Sequence, residues 1–170
     1  MAQFHKKVSE QSFMMEPAIA SEIPELLKII EDVFIEYGWT YVESDEVPDF
    51  INFNNVYGDS SRAMIFSVKS VGKNPEIIGC IALKFNSEGP YLSRVYLKQA
   101  FRGYGLGKWM TIEMMKLARD RGFDHIHLWT DTRFIGAHHM YLRVGFSMSG
   151  LIRSLHDINN SFEFKMEAPL

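Results

Sequence analysis

The amino-acid sequence predicts an α/β (or α+β) domain with a mixed β-sheet. Segments with strand character alternate with segments of helical spacing, and three strand-like segments follow one another near the middle of the chain. Its 170 residues, 46% of them hydrophobic and 23% charged, are enough for one domain with a buried core. The predicted order is β, α, α, three β, α, β, α, β, with residues 1–11 as a flexible extension and 12–170 as a single domain.

The first half of the domain is predicted to begin with a short strand over residues 12–15. A helix follows between a cap at Ser21 and a stop at Gly38, because the intervening apolar residues recur at helical spacing. A second helix is predicted over residues 48–56. Loops rich in Gly, Asn, Ser and Pro then separate three predicted strands. These strands are Ala63–Val68, Glu76–Phe85 and Tyr91–Leu97.

The second half returns to alternation of helix and strand. A helix is predicted over residues 105–121 because apolar side chains recur on one face and Gly122 follows them. A strand over 125–130, a helix over 134–144 and a final strand over 162–166 complete the domain.

Charge and cysteine content narrow the function classes. A net charge of −3 does not suggest a nucleic-acid-binding protein, which would usually be basic. The one cysteine, Cys80, cannot form an internal disulfide and reads as a core residue. No segment has the length of a signal peptide or of a membrane span of roughly 20 apolar residues. We therefore expect a cytoplasmic protein without nucleic-acid or membrane partners; the sequence leaves a homodimer open.

The most informative segment runs from Val95 to Lys108, where a strand leads through three spaced glycines into a helix. Glycines let backbone N–H groups converge, and a helix N-terminus favours an anion, so the turn suits a phosphate or pyrophosphate. The spacing excludes both the ATP-type loop and the dinucleotide fingerprint. A tight strand-to-helix turn without a ligand is the alternative interpretation.

Two blocks of sequence resemble the GNAT superfamily of N-acetyltransferases. Residues 102–107 (Arg-Gly-Tyr-Gly-Leu-Gly) are similar to its Arg/Gln-x-x-Gly-x-Gly/Ala signature. Residues 128–146 are similar to the family's strand followed by Ala-x-x-Leu-Tyr-x-x-x-Gly-Phe. The resemblance implies a three-layer domain whose central mixed sheet, of about six to seven strands, is flanked by about four helices. It also implies that the fourth and fifth strands, over 91–97 and 125–130, splay apart.

The resemblance further implies acetyl-CoA as co-substrate. The backbone of one strand would pair with the pantetheine arm, and the glycine-spaced turn would hold the pyrophosphate. The residues implied in coenzyme A binding are Val95, Tyr96, Leu97, Arg102, Gly103, Tyr104, Gly105, Leu106, Gly107 and Lys108.

Tyr141 is implied as the general acid that protonates the departing thiolate, since a phenol with a pKa near 10 stays protonated at neutral pH. The alternative for Tyr141 is an aromatic residue of the core. Many relatives carry a Glu base where this chain has Tyr91, so Glu88 or Asp131 would have to substitute, unless both are solvated loop carboxylates. Phe134 stands where many relatives have an Asn that contacts the cofactor.

The acceptor implied by the resemblance is a primary amine, either a small molecule or a protein amine. Acidic residues of the first two helices and their loop either form a wall that attracts a cationic amine or face solvent. They are Glu31, Asp32, Glu36, Glu43, Asp45, Glu46, Asp49 and Asp59. The histidines and Cys80 do not have metal-site spacing, so no metal is predicted. The rival function is a catalytically degenerate acyl-CoA-binding or sensor module; a longer acyl donor is a further alternative.

Overall fold

The computed structural model describes residues 2–170 and contains, within them, an eight-stranded mixed sheet with helices on both faces. The strands are β1 (Phe4–Val8), β2 (Gln11–Pro17), β3 (Ala63–Val71), β4 (Ile77–Asn86), β5 (Gly89–Leu97), β6 (His125–Asp131), β7 (Ser147–Ser154) and β8 (Phe162–Pro169). The helices are α1 (Ile23–Glu36), α2 (Glu43–Glu46), α3 (Pro48–Ile51), α4 (Phe53–Tyr57), α5 (Leu106–Asp120) and α6 (Ile135–Arg143). In space the strands follow the order β1-β2-β3-β4-β5-β6-β8-β7, and only the β5–β6 pair is parallel.

The sheet separates two hydrophobic cores, which confirms the predicted three-layer α/β fold. Strand β4 shows the separation because its side chains alternate between faces. Ile81 and Leu83 belong to the core that packs under α5 and α6, whereas Cys80 and Ala82 belong to the core beneath α1 and α3. All four side chains are fully buried.

Helix α5 forms as the sequence predicts. Its buried residues Leu106, Met110, Met114 and Ala118 recur every four positions, so one stripe of the helix faces the sheet. Burying a side chain of this size contributes about 1.5–3 kcal/mol, so the stripe holds the helix on the sheet.

The sheet has two strands more than the sequence patterns predict. Residues 4–8, expected within a flexible extension, form β1 and pair with β2; Met1, also in that extension, lies outside the described residues. Phe4 anchors β1 because its ring packs edge-on against Phe66 at 5.8 Å. Strand β7 was not predicted because it is exposed along nearly its whole length and so has no periodic apolar face.

The helix predicted over residues 48–56 is two short helices, α3 and α4, which meet at Asn52. The side chain of Asn52 donates to the carbonyl of Pro48 at 3.2 Å, and this local bond competes with a continuous helix. Ser21 lies in a short 3₁₀ turn, and Glu22 rather than Ser21 is the N-cap of α1. Within residues 2–170, every helix is too short or too polar to cross a bilayer.

Strands β5 and β6 separate as the resemblance implies. They pair only where Tyr91 lies beside His127 and Leu92 beside Leu128. After Leu92, β5 bulges at Arg94, a non-glycine residue with φ of +54°, and continues beside β4. The edge of β5 that faces β6 therefore carries unpaired backbone groups from residue 93 to 97.

Candidate functional site

A cleft of about 740 Å³ opens where β5 and β6 separate. Its walls come from residues 92–97 of β5, the turn before α5, the end of β6, helix α6 and the end of α1. This volume lies in the range of small-molecule and cofactor sites. The cleft is therefore the candidate active site.

The glycine segment, residues 103–108, forms one wall of the cleft. Gly103 and Gly105 have φ values of +85° and +73°, and Gly105 is the N-cap of α5. A Cβ atom at either position would meet no atom within 4 Å, so it is the left-handed backbone that favours glycine there. The first N–H groups of α5 have no partner within the helix and point to its N-terminal end, beside the cleft.

Arg102 and Lys108 both line the cleft, but their side chains differ. Arg102 donates from Nε to the carbonyl of Leu97 at 3.0 Å and from Nη1 to Glu36 at 2.7 Å. It therefore ties the end of β5 to the end of α1 and fixes the entry into the glycine segment. Lys108 is exposed on the first turn of α5. Lys108 is thus the better placed of the two to meet an anionic ligand.

Nine of the ten residues predicted to bind coenzyme A line the cleft, and Tyr104 does not. Its side chain is 48% exposed. The nine that line it are Val95, Tyr96, Leu97, Arg102, Gly103, Gly105, Leu106, Gly107 and Lys108.

Tyr141 satisfies both interpretations that the sequence allowed. Its ring is 5% exposed and packs against Phe146 at 5.6 Å, as a core residue would. It also lines the cleft, and its hydroxyl makes no hydrogen bond with any group in residues 2–170. Burial raises the pKa of Tyr141 above its ordinary value, so the phenol is protonated at neutral pH.

Neither predicted substitute base is free in the cleft. Glu88 lies outside it, in the turn between β4 and β5, where Lys165 donates to its carboxylate at 2.8 Å and lowers its pKa. Asp131 does line the cleft, but Arg133 binds both of its carboxylate oxygens, at 2.8 and 2.6 Å. Tyr91 is half-buried, stacks on His127 at 5.5 Å and does not line the cleft.

Sequence reasoning missed part of the cleft wall. Five carboxylates line the cleft, from α2, the end of β6, the β7–β8 loop and β8. This carboxylate group consists of Asp45, Glu46, Asp131, Asp157 and Glu163. The sequence had indicated Asp45 and Glu46 as part of an acidic wall. Nothing in the local pattern around Asp157 or Glu163 connects those residues with the cleft.

Aromatic rings lie beside these carboxylates. Phe134 packs against Tyr37 at 5.0 Å and Trp39 at 5.2 Å, and all three line the cleft. Arg133 lies 3.9 Å from the ring centre of Trp39, at a cation–π distance. Phe134 thus belongs to an apolar wall in which the family's Asn would have been a polar contact.

A buried ion cluster holds the bulge of β5. Asp49 is 7% exposed and accepts bonds from Arg94, the closest at 2.7 Å, and from Lys84 at 2.7 Å. Burial alone would raise the pKa of Asp49, but Arg94 and Lys84 outweigh burial and lower it well below its ordinary value. Arg94 also lines the cleft. The cluster therefore fixes the strand conformation that opens the unpaired edge.

Within residues 2–170, no three His, Cys, Asp or Glu side chains are grouped so that they could hold an ion.

The comparisons with known proteins agree with this architecture. The model of the Acetyltransferase (GNAT) family matches residues 26–146. An acetyltransferase of the GNAT family from Staphylococcus aureus Mu50 is 20% identical, with a TM-score of 0.76 over 93% of this chain and 99% of that one. An acetyltransferase from Streptococcus agalactiae 2603 is 17% identical, with a TM-score of 0.74 over 93% and 98% of the two chains.

The PaiA N-acetyltransferase from Thermoplasma acidophilum, solved with coenzyme A, is 18% identical, with a TM-score of 0.72 over 93% and 99% of the chains. A comparison with curated protein sequences finds no match. At these identities the solved structures show the fold, and the family model shows the membership. The splayed strands, the glycine segment and the match over residues 26–146 place this chain in the acetyltransferase (GNAT) family.

Proposed function

We propose that this protein is an N-acetyltransferase that moves an acetyl group from acetyl-CoA directly to a primary amine. The observation that carries the proposal is the position of Tyr141. Tyr141 lines the same cleft as the unpaired edge of β5 and the glycine segment. A proton donor, a site for an extended amide chain and a phosphate site thus share one cavity.

The cleft fits the donor chemically. Residues 93–97 offer free backbone groups to the amides of a pantetheine arm, as an added strand would. The glycine segment offers converging N–H groups and Lys108 to a pyrophosphate. Hydrogen bonds to charged groups contribute about 1.5–3 kcal/mol each, so several of them can outweigh the cost of association.

The cleft residues support direct transfer. The neutral amine attacks the thioester carbon, a C–N bond forms and the C–S bond breaks. Tyr141 gives its proton to the sulfur, and the nitrogen loses one proton, which restores the phenol. The one cysteine, Cys80, is fully buried and does not line the cleft, and burial raises the pKa of its thiol to about 12. A thiol that stays protonated is a poor nucleophile, which favours a ternary complex over an acyl-cysteine intermediate.

The carboxylate group and the aromatic wall favour an acceptor that carries positive charge. An alkyl ammonium with a pKa near 10.4 is cationic at neutral pH. In the part of the chain that the structure describes, three of the five cleft carboxylates make no ion pair with an arginine or lysine and raise its local concentration; they are Asp45, Glu46 and Asp157. The rings of Tyr37, Trp39 and Phe134 can pack against its carbon chain. We therefore place the acceptor among alkyl and aryl-alkyl amines.

The test is acetyl-CoA turnover against spermidine, putrescine, benzylamine, tyramine and a lysine-containing peptide. Free thiol release measures the rate, and mass spectrometry identifies the acetylated amine. Acetylation of at least one primary amine is the expected result. Coenzyme A binding by calorimetry without turnover of any amine would instead favour an acyl-CoA-binding module. A donor panel with propionyl- and butyryl-CoA decides between acetyl and a longer acyl group.

A further inference from the structure

We infer that Glu46 is the residue that takes the proton from the acceptor's ammonium group, a role that rests on the proposed function. The family's usual base position holds Tyr91, which lies outside the cleft. An ammonium must nevertheless lose a proton before its nitrogen can attack. The base must come from elsewhere in the cleft, and Glu46 lies there, on α2.

Two of the other cleft carboxylates are bound by arginines. Arg133 binds Asp131 through both oxygens, and Arg153 lies 2.6 Å from Glu163. Both oxygens of Asp131 and one oxygen of Glu163 are therefore already occupied by guanidinium groups. Neither carboxylate is free to receive a proton from the substrate.

Of the remaining two carboxylates, Asp157 is hydrogen-bonded and Asp45 is open to solvent. Asp157 accepts the backbone N–H of Ser161 at 2.7 Å. Burial alone would raise the pKa of Asp157, but the hydrogen bonds from Ser161 and the charge of Arg133 together outweigh burial and lower it. Asp45 is exposed and accepts from the hydroxyl of Ser44 at 3.0 Å. Asp157 is thus already engaged, and Asp45 is open to solvent.

Glu46 differs from all four. It is partly buried, and its carboxylate makes no hydrogen bond or ion pair with any group in residues 2–170. Burial raises its pKa, and the nearby charges of Asp157, Asp45 and Asp131 raise it further, while Arg94 lowers it. A carboxylate with these neighbours attracts an ammonium and takes its proton at a smaller free-energy cost.

The protons balance along this route. The Glu46 carboxylate accepts one proton from R–NH₃⁺, which leaves R–NH₂ with a free electron pair, and Glu46 later releases this proton to water at the mouth of the cleft. The nitrogen attacks the thioester carbon and becomes positive again. As the C–S bond breaks, Tyr141 protonates the sulfur, and the second nitrogen proton restores the Tyr141 phenol. The products are the amide, coenzyme A as its thiol and one proton.

The experiment is the pH dependence of kcat/KM for Glu46→Gln, with the amine that wild type acetylates fastest in the panel above. At neutral pH we expect a loss of about 10²-fold or more, the scale of general-base catalysis. The loss should shrink by about tenfold per pH unit toward the ammonium pKa of about 10.4, because free amine then replaces the missing base. Glu43→Gln is the matched control, since Glu43 is exposed on the same helix and does not line the cleft.

Two further measurements separate this role from a structural one. Glu46→Asp should recover part of the activity, and coenzyme A affinity should stay within about threefold of wild type in each variant, since donor groups are untouched. An equal loss of activity at every pH, or none, would overturn the role of Glu46 while leaving the proposed function intact.

The pKa of the Glu46 carboxyl group can also be measured by NMR, which needs no acceptor. We expect this pKa to lie above the ordinary value and to be lower in Asp157→Asn. An ordinary pKa would also overturn the inference.

Discussion

The two parts of the cleft would recognise the proposed ligands in different ways. The glycine segment is one contiguous stretch that presents backbone N–H groups. The carboxylate group comes from four separate chain segments and presents side chains. A phosphate can be held by backbone that only requires glycines at the right positions, whereas an amine is selected by side chains that packing brings together. Substitutions in the carboxylate group could therefore change which amine is accepted without altering the glycine segment.

Two ion pairs between distant segments hold the walls of the cleft. Arg102, directly before the glycine segment, bonds Glu36 of α1, 66 positions away. Asp49 of α3 bonds Arg94, 45 positions away, and so fixes the bulge of β5. The side chains of Asp49 and Arg94 are 8% and 18% exposed, against 27% and 33% for Glu36 and Arg102. Because breaking a buried ion pair costs more than breaking an exposed one, loss of the Asp49 pair should have the larger effect.

The largest effect is expected at Asp49, where Asp49→Asn leaves the charges of Arg94 and Lys84 without a buried partner. Breaking a buried ion pair costs about 3–5 kcal/mol in the free energy of unfolding, which urea denaturation measures. The folded-state pKa of Asp49 is lowered, so its contribution is complete above the unfolded value of about 3.9 and is lost as the pH falls below it. The difference in the free energy of unfolding between wild type and Asp49→Asn should therefore decrease in acid. A difference that does not change with pH would contradict the role of the ion pair.

Tyr141→Phe tests the residue that the two parts share. The ring and its packing against Phe146 remain, but the proton is lost. We expect kcat to fall by roughly 10- to 10³-fold, with thermal stability and coenzyme A affinity close to wild type. Lower stability with unchanged kcat would instead mark Tyr141 as a core residue alone.

Gly107→Val is the cleanest probe of the glycine segment. Gly107 is helical, and a Cβ there would make ordinary contacts of 3.9 Å with Leu97 and Met140, so the fold should tolerate it. A branched side chain would occupy the phosphate path, and coenzyme A affinity by calorimetry should fall at least about tenfold, or ~1.4 kcal/mol. Gly105 is less suitable because its φ of +73° strains any substitution. Gly72→Ala, in an open turn between β3 and β4, is the control; equal affinity in both variants would contradict the phosphate site.

Asp131→Asn and Glu88→Gln should have the smallest effects. Asp131 is held by Arg133 and Glu88 lies outside the cleft, so neither is free to take a proton. We expect kcat/KM within about threefold of wild type for each at neutral pH, against the much larger loss expected of a general base. A loss of about 10³-fold in either variant would restore that carboxylate as the base.

The sequence predicted most of the cleft residues that we propose bind coenzyme A, which lie in the glycine segment and on β5. Glycines 103, 105 and 107 and the amphipathic pattern of α5 are local signals, and local backbone preferences decide what they form. Two short motifs carry the family resemblance. That resemblance predicted the three layers, the separation of β5 and β6 and the position of Tyr141 in the cleft. Where the local signal was weak, prediction failed: exposed β7 has no apolar face, and β1 is a polar strand held by pairing with β2.

Tertiary structure decided which carboxylates line the cleft. Glu88 was a reasonable candidate for the base by sequence position, but the fold places it outside the cleft and brings Lys165, 77 positions away, to its carboxylate. Asp131 lines the cleft but is bound by Arg133, two positions further along the chain. Glu46 stands out only because it lies in the cleft without a partner, near Asp157, which is over 100 positions away in the sequence. A carboxylate's basicity depends on burial and on the charges around it, and these exist only once distant segments have packed together.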